Sequence, residues 1–155
     1  MAEVARVNSR RAILCSVLVA VFGLVTSANT GADWLTDYKK AQEEAKASNK
    51  LVLLNFTGSD WCGWCIKLDR EVFSTTQFKD YATKNLVLME ADFPRAKPQS
   101  ASVRKQNEEL AMRYQVIGFP TIVVLNGDGK VVGELGYTPG GPSAFIAELE
   151  KLRKG

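Results

Sequence analysis

Two cysteines placed where a strand hands over to a helix constrain this chain more than any other feature. The run Leu51-Val52-Leu53-Leu54-Asn55-Phe56 is short, mostly apolar and bounded by Gly58-Ser59-Asp60, which predicts a buried strand ending in a loop. Trp61-Cys62-Gly63-Trp64-Cys65 follows at once, and Leu68, Val72 and Phe73 then recur at near-helical spacing, with Lys67, Arg70 and Glu71 on the wetter face. Cys62 is therefore expected at a helix N-terminus, where free N–H groups and the positive end of the helix dipole favour a thiolate. Only the thiolate attacks a disulfide, so Cys62 is the expected nucleophile. Cys65, one turn on, is the expected resolving thiol.

Residues 1–28 read as a signal peptide. Arg6, Arg10 and Arg11 precede an apolar run from Ala12 to Val25, and Thr26 and Ala28 suit a cut after Ala28. The run is 14 residues long, short of the roughly 20 a span needs, so cleavage is expected; an uncleaved anchor is the alternative. Ser9-Arg10-Arg11 resembles a twin-arginine signal, but the strongly apolar run favours the general secretory route. Residues 29–155 form one domain. The leader carries two of the net +3 charges, which leaves +1 on the domain. That is too little to argue for nucleic acid.

The chain has no histidine. Ser-His-Asp and Cys-His catalysis, histidine metal sites and a histidine pH switch are excluded. So is c-type haem attachment, because Ile66 follows the second cysteine.

Asp33 to Ala47 is expected to be an amphipathic helix capped by Asp33, with Trp34, Tyr38, Ala41 and Ala45 on its core face. A short helix is expected over Gln77–Lys84, and Leu86 to Asp92 reads as a second strand, parallel to the first across the intervening helices. Phe93 to Val103, with Pro94 and Pro98, reads as a disordered surface excursion in preference to a substrate or partner contact. Arg104 to Tyr114 is helical, with Leu110, Ala111 and Tyr114 facing inward. Ile122–Leu125 and Val131–Leu135 form an antiparallel hairpin through Asn126-Gly127-Asp128-Gly129. A closing helix begins near Pro142 and buries Phe145, Ile146, Leu149 and Leu152.

Three readings of the cysteine pair are open. A structural disulfide is disfavoured, because this spacing closes a tiny loop and a domain of this size needs no staple. A zinc site would need four ligands, and the domain offers two cysteines and no histidine. Redox chemistry fits the strand-to-helix context. Trp61 and Trp64, either side of Cys62 and Gly63, read as shielding the thiolate and forming an apolar docking surface with Gly63 between them, in preference to core packing.

The Trp-Cys-x-x-Cys run after an apolar strand, with Gly118-Phe119-Pro120-Thr121 downstream, resembles the thioredoxin superfamily. The stretch from Leu54 through Phe73 is similar to exported bacterial members, the periplasmic Dsb-type reductases and the DsbH-like group in particular. The resemblance spans roughly Asp33 to Arg153 and implies an α/β thioredoxin fold: a central mixed four-stranded sheet flanked by helices, with an extra N-terminal helix. It implies that Trp61 sits beside the nucleophile, that the Phe119–Pro120 bond is cis, that Pro120 lies against the cysteines, and that Phe119 presents backbone to an extended substrate. Two departures stand out. Asn55 occupies the place of the family's buried aspartate, which assists proton transfer to the resolving cysteine; Glu90 is a candidate substitute, a solvated strand-edge glutamate the alternative. The lysine that commonly follows the second cysteine is displaced to Lys67.

The function implied is an exported, periplasmic, monomeric protein disulfide reductase or isomerase. It would need no cofactor and no metal, act on disulfide-containing exported proteins and draw electrons from a membrane-bound donor of DsbD type. A binding or chaperone-like module with incidental thiols is the alternative. Gly63-Trp64 supplies no cation and Asp60 opposes the thiolate, so a reducing potential is expected.

Overall fold

The computed structural model describes residues 33–154; the expected leader and its cleavage point lie outside the described residues. Helix α1 (Tyr38–Ser48) starts five residues later than the sequence suggests. Asp37, not Asp33, is its cap: the Asp37 carboxylate accepts the Lys40 N–H at 2.9 Å. The reason lies in the preceding segment. Leu35 is extended and pairs with the sheet, its N–H donating to the Leu88 carbonyl at 2.9 Å and its carbonyl accepting the Glu90 N–H at 2.8 Å. Trp34 therefore reaches the core from an extended segment, with its ring 5.2 Å from that of Phe73. The α1 face is otherwise as expected, with Ala41 and Ala45 fully buried.

The sheet contains β1 (Leu51–Thr57), β2 (Leu86–Asp92), β3 (Thr121–Leu125) and β4 (Val131–Leu135) in the order β2-β1-β3-β4. β1 and β2 are parallel, in the register Leu51↔Leu86 to Thr57↔Asp92. β3 runs antiparallel to β1, and β4 to β3. The hairpin turn is closed by the Asn126 side-chain oxygen, which accepts the Asp128 and Lys130 N–H groups, both at 3.0 Å. Gly129 takes the left-handed φ of 79° that this turn requires.

Central β1 is covered on both faces. Val52, Leu54 and Phe56 pack in one core layer with Ala41, Ala45 and Leu110, the last from α4 (Ala101–Arg113). Leu53 packs in the other layer with Leu68, Val72, Phe73, Phe78, Phe145 and Leu149. Those residues come from α2 (Gly63–Leu68), the π-helical turn that continues it (Asp69–Phe73), α3 (Thr76–Asn85) and α5 (Gly141–Lys154). The expected α5 stripe is present, with Ile146 and Leu152 packed at its edge. The π turn explains the spacing of the active helix. The Ser74 N–H bonds the Asp69 carbonyl at 2.8 Å, a wide turn that brings Phe73 as well as Leu68 and Val72 onto the buried side.

Strand periodicity has one further consequence. Asn55 and Thr57 share the face of Leu53, and their register partners are Glu90 and Asp92. The carboxyl ends of β1 and β2 thus set four polar side chains on the face that carries the cysteine helix.

Candidate active site

Cys62 and Cys65 form a disulfide with Cα atoms 5.2 Å apart. Cys62 is the N-cap of α2, and its sulfur accepts the Cys65 N–H at 3.2 Å. That donor remains when the sulfur is a thiolate, and it favours the charged form. The approach to Cys62 is set by β1: the chain leaves Thr57, turns through Gly58, and the Cys62 N–H returns to the Gly58 carbonyl at 2.8 Å. Gly58 is required by contact, because an added Cβ would stand 2.5 Å from the Trp61 indole. Among the described residues nothing stands within 4 Å of the corresponding position on Gly63, so they leave the surface beside Cys62 open there.

The expected contrast in exposure between the two sulfurs is absent in the disulfide form, at 7% for Cys62 and 5% for Cys65. Their surroundings differ instead. Cys62 is flanked by half-exposed tryptophans, whereas Cys65 lines a polar cavity behind the motif.

Trp61 lies edge-on to Phe119 with ring centroids 5.9 Å apart, and Phe119 lies 5.1 Å from Phe93. The Phe119–Pro120 bond is cis. Pro120 immediately precedes β3, opposite the end of β1 from which the motif departs, since Phe56 pairs with Thr121. Trp64 is 58% exposed and packs 5.1 Å from Tyr137. The ammonium of Lys67 sits about 5 Å over both rings. The structure thus brings Trp61, next to Cys62, together with Phe119 and Phe93, and pairs Trp64 of the cysteine helix with Tyr137 from beyond β4.

The segment after β2 is bound to the motif, contrary to the expectation of a disordered excursion. The Asp60 carboxylate accepts the N–H groups of Arg95 at 3.0 Å, Ala96 at 2.7 Å and Lys97 at 3.1 Å. The Trp61 indole N–H donates to the Phe93 carbonyl at 2.8 Å, and the Arg95 guanidinium lies 3.8 Å over the Trp61 ring. The excursion is also shorter than expected. Ser100 caps α4, so Ala101, Val103 and the residue between them are helical. Arg95, Phe93 and Tyr137 were missed by sequence reasoning. Only Phe93, an apolar residue in a polar loop, carried a signal.

The amides of Arg95 and Ala96 lower the Asp60 pKa below the ordinary aspartate value near 3.8. A folded value below the unfolded one makes this contribution complete above the unfolded value and lost as pH falls through the folded one. Asp60→Ala is therefore expected to expose the segment to trypsin after Arg95 several-fold faster than in the parent, with the sheet intact. Equal cleavage rates would show that Asp60 does not hold it.

Glu90 is neither fully buried nor a solvated edge residue. Burial raises its pKa, helped by the charges of Asp92 and Asp69, while Lys97 opposes the shift. It shares the cavity with Cys65 and Asn55.

The thioredoxin-like domain family matches residues 38–153. The disulfide bond reductase DsbH of Chlamydia pneumoniae is 38% identical over 117 residues, covering 76% of this chain and 70% of that protein. A solved structure of a DsbH oxidoreductase superposes with a TM-score of 0.75 at 37% identity, covering 79% of this chain and 84% of the other. The thiol:disulfide interchange protein DsbD of Vibrio cholerae is 33% identical over 114 residues, which are 74% of this chain but 17% of that protein. These relatives displace the reading of a binding module with incidental thiols. With its cysteine pair at the strand-to-helix junction and relatives of this kind, the chain belongs to the thioredoxin-like family and is a thiol–disulfide oxidoreductase of the Dsb type.

Proposed function

We propose that the protein reduces disulfides of exported proteins in the periplasm, with Cys62 as nucleophile and Cys65 as resolving thiol. The observation that carries this reading is the N-cap geometry: the Cys62 sulfur receives the Cys65 N–H at 3.2 Å, and no such donor is aimed at the Cys65 sulfur among the described residues. Trp61, Gly63, Trp64, Phe119 and Pro120 form the docking surface. Trp61 and Trp64 supply exposed apolar area, the open surface at Gly63 lets a chain approach Cys62, and Phe119-Pro120 offers backbone to an extended segment. The leader of residues 1–28 would deliver residues 29–155 across the inner membrane as a monomer. The Dsb-type relatives support a thiol–disulfide redox partner, and a membrane-bound donor of DsbD type would supply the electrons.

The reducing direction rests on how little stabilises the Cys62 thiolate. Gly63 and Trp64 carry no charge. Two cationic side chains beside the motif are held on aromatic faces, Lys67 over Trp64 and Tyr137, and Arg95 over Trp61. Asp60 opposes the thiolate less than its position in the chain suggests, because three loop amides hold its carboxylate. The N-cap donor is left as the main support. A modestly stabilised reduced form means a low potential, expected on the order of −230 to −270 mV, against about −120 mV for a dedicated oxidant. Equilibration with glutathione buffers measures it, and insulin reduction by dithiothreitol should accelerate on adding the protein. A potential above about −150 mV would make the protein a disulfide donor.

A further inference from the structure

We propose that Glu90 accepts the proton of Cys65 during resolution, through water in the cavity that the two residues share. The assignment rests on Cys65 being the resolving thiol. A thiol must lose its proton before it attacks, and Cys65 is 5% exposed, so bulk solvent is a poor acceptor. The residue at the centre of the neighbouring strand face is Asn55, whose amide cannot take a proton at neutral pH. Its register partner across the parallel pair is Glu90.

The cavity of about 500 Å³ is lined by Asn55, Cys65, Asp69, Glu90, Asp92 and Lys97 among others. It has room for several waters. Asn55 is 5% exposed and its side-chain oxygen has no hydrogen-bond partner among the described residues. An unpartnered amide oxygen facing a polar cavity marks a hydration site. A water bonded there would stand at the seam of β1 and β2, on the face that carries both Cys65 and Glu90.

Three carboxylates face this space, and two are already engaged. Asp92 accepts the Ser59 N–H at 2.9 Å and the Ser59 hydroxyl at 2.6 Å. Asp69 accepts the Ser74 hydroxyl at 3.1 Å. The Glu90 carboxylate makes no such bond among the described residues. Burial foremost, then Asp92 on its own strand and Asp69 on the π turn, raise its pKa, while Lys97 from the loop lowers it. β1 and the segment before α1 face the cavity with the uncharged Asn55, Thr57 and Trp34. A carboxylate with a raised pKa is a stronger base, which narrows the gap to a thiol near 8.5.

The step balances as follows. Cys65 gives its proton, through water, to the Glu90 carboxylate. The Cys65 sulfur forms a bond to the Cys62 sulfur as the bond from Cys62 to the substrate sulfur breaks. The substrate sulfur leaves with the electron pair as a thiolate and takes a proton from solvent. The two cysteines are oxidised to the disulfide and the substrate is reduced. Glu90 returns its proton to solvent, or to Cys65 when the pair is next reduced.

The test uses the reduced full domain and dithiobis(nitrobenzoate). The first thionitrobenzoate is released when Cys62 attacks, the second when Cys65 resolves the adduct. Glu90→Gln should leave the first release unchanged and slow the second by at least about tenfold near pH 6 to 7, with the gap closing toward about pH 9. Glu90→Asp should recover part of the low-pH rate. A Glu90→Gln profile that follows the parent, or lies below it by one factor at every pH, would overturn the proposal. So would a pH-dependent loss in Asp69→Asn with none in Glu90→Gln. An adduct mapped to Cys65 would overturn the assignment of the nucleophile itself, a failure visible in the first release.

Discussion

Cells making the Cys65→Ser protein are expected to accumulate it bound to its substrates as mixed disulfides, resolved as higher-mass bands on non-reducing gels and lost on reduction. Cys62→Ser protein should give essentially none. The asymmetry follows from geometry. The Cys62 sulfur holds the N-cap position beside Gly63, where the surface is open, whereas Cys65 lines the polar cavity behind the motif. Once Cys62 is joined to a substrate, release depends on a thiol whose Cα lies 5.2 Å away and whose attack is intramolecular. Losing such a neighbour is expected to slow release by at least about a thousandfold, since well-oriented intramolecular groups reach very high effective concentrations. Insulin reduction should fall to background in both variants. Equal trapping by both variants, or by neither, would remove the assignment of roles.

The second large effect concerns stability. Phe78 is completely buried, and its ring lies 5.0 Å from Phe73 and 6.0 Å from Phe145. Phe73 belongs to the π turn that continues the cysteine helix, and the Trp34 ring packs on it at 5.2 Å. This aromatic group fastens the active helix to α3 and α5. Phe78→Ala removes a large side chain from a site walled by rigid rings, where collapse into the gap is restricted. A loss of about 3 to 5 kcal/mol is expected, against a total of about 5 to 15 kcal/mol for a typical domain. Urea unfolding of the oxidised protein measures it. Phe78→Leu should cost clearly less, because most of the volume is kept. A loss below about 1 kcal/mol for Phe78→Ala would show that the cluster is not the anchor described.

The differences between expectation and structure share a cause. The cap of α1 moved from Asp33 to Asp37 because Leu35 found a partner in β2, and nothing near Leu35 in the chain announces a partner more than 50 residues on. The Phe93-to-Lys97 segment looked like a free loop by composition. It is fixed because Asp60 and Trp61, over 30 residues earlier, hold its amides and a carbonyl. Tyr137 reached Trp64 through the β4 end, again without a local sign.

What the sequence determined by itself is whatever has a local physical basis. The apolar run of β1, the turn residues of the β3–β4 hairpin and the apolar stripe of α5 each follow from periods and turn chemistry within a few residues. The cysteine pair at a helix start is of this kind as well, and so its chemistry was legible. What only the tertiary structure decided is the surroundings of each sulfur: tryptophans on either side of Cys62, a polar cavity beside Cys65. Those surroundings come from strand register, which sets Asn55 beside Glu90 and Thr57 beside Asp92. A one-residue slip would put Glu90 on the opposite face, and no stretch of the chain shorter than the β1–β2 span specifies which register is made.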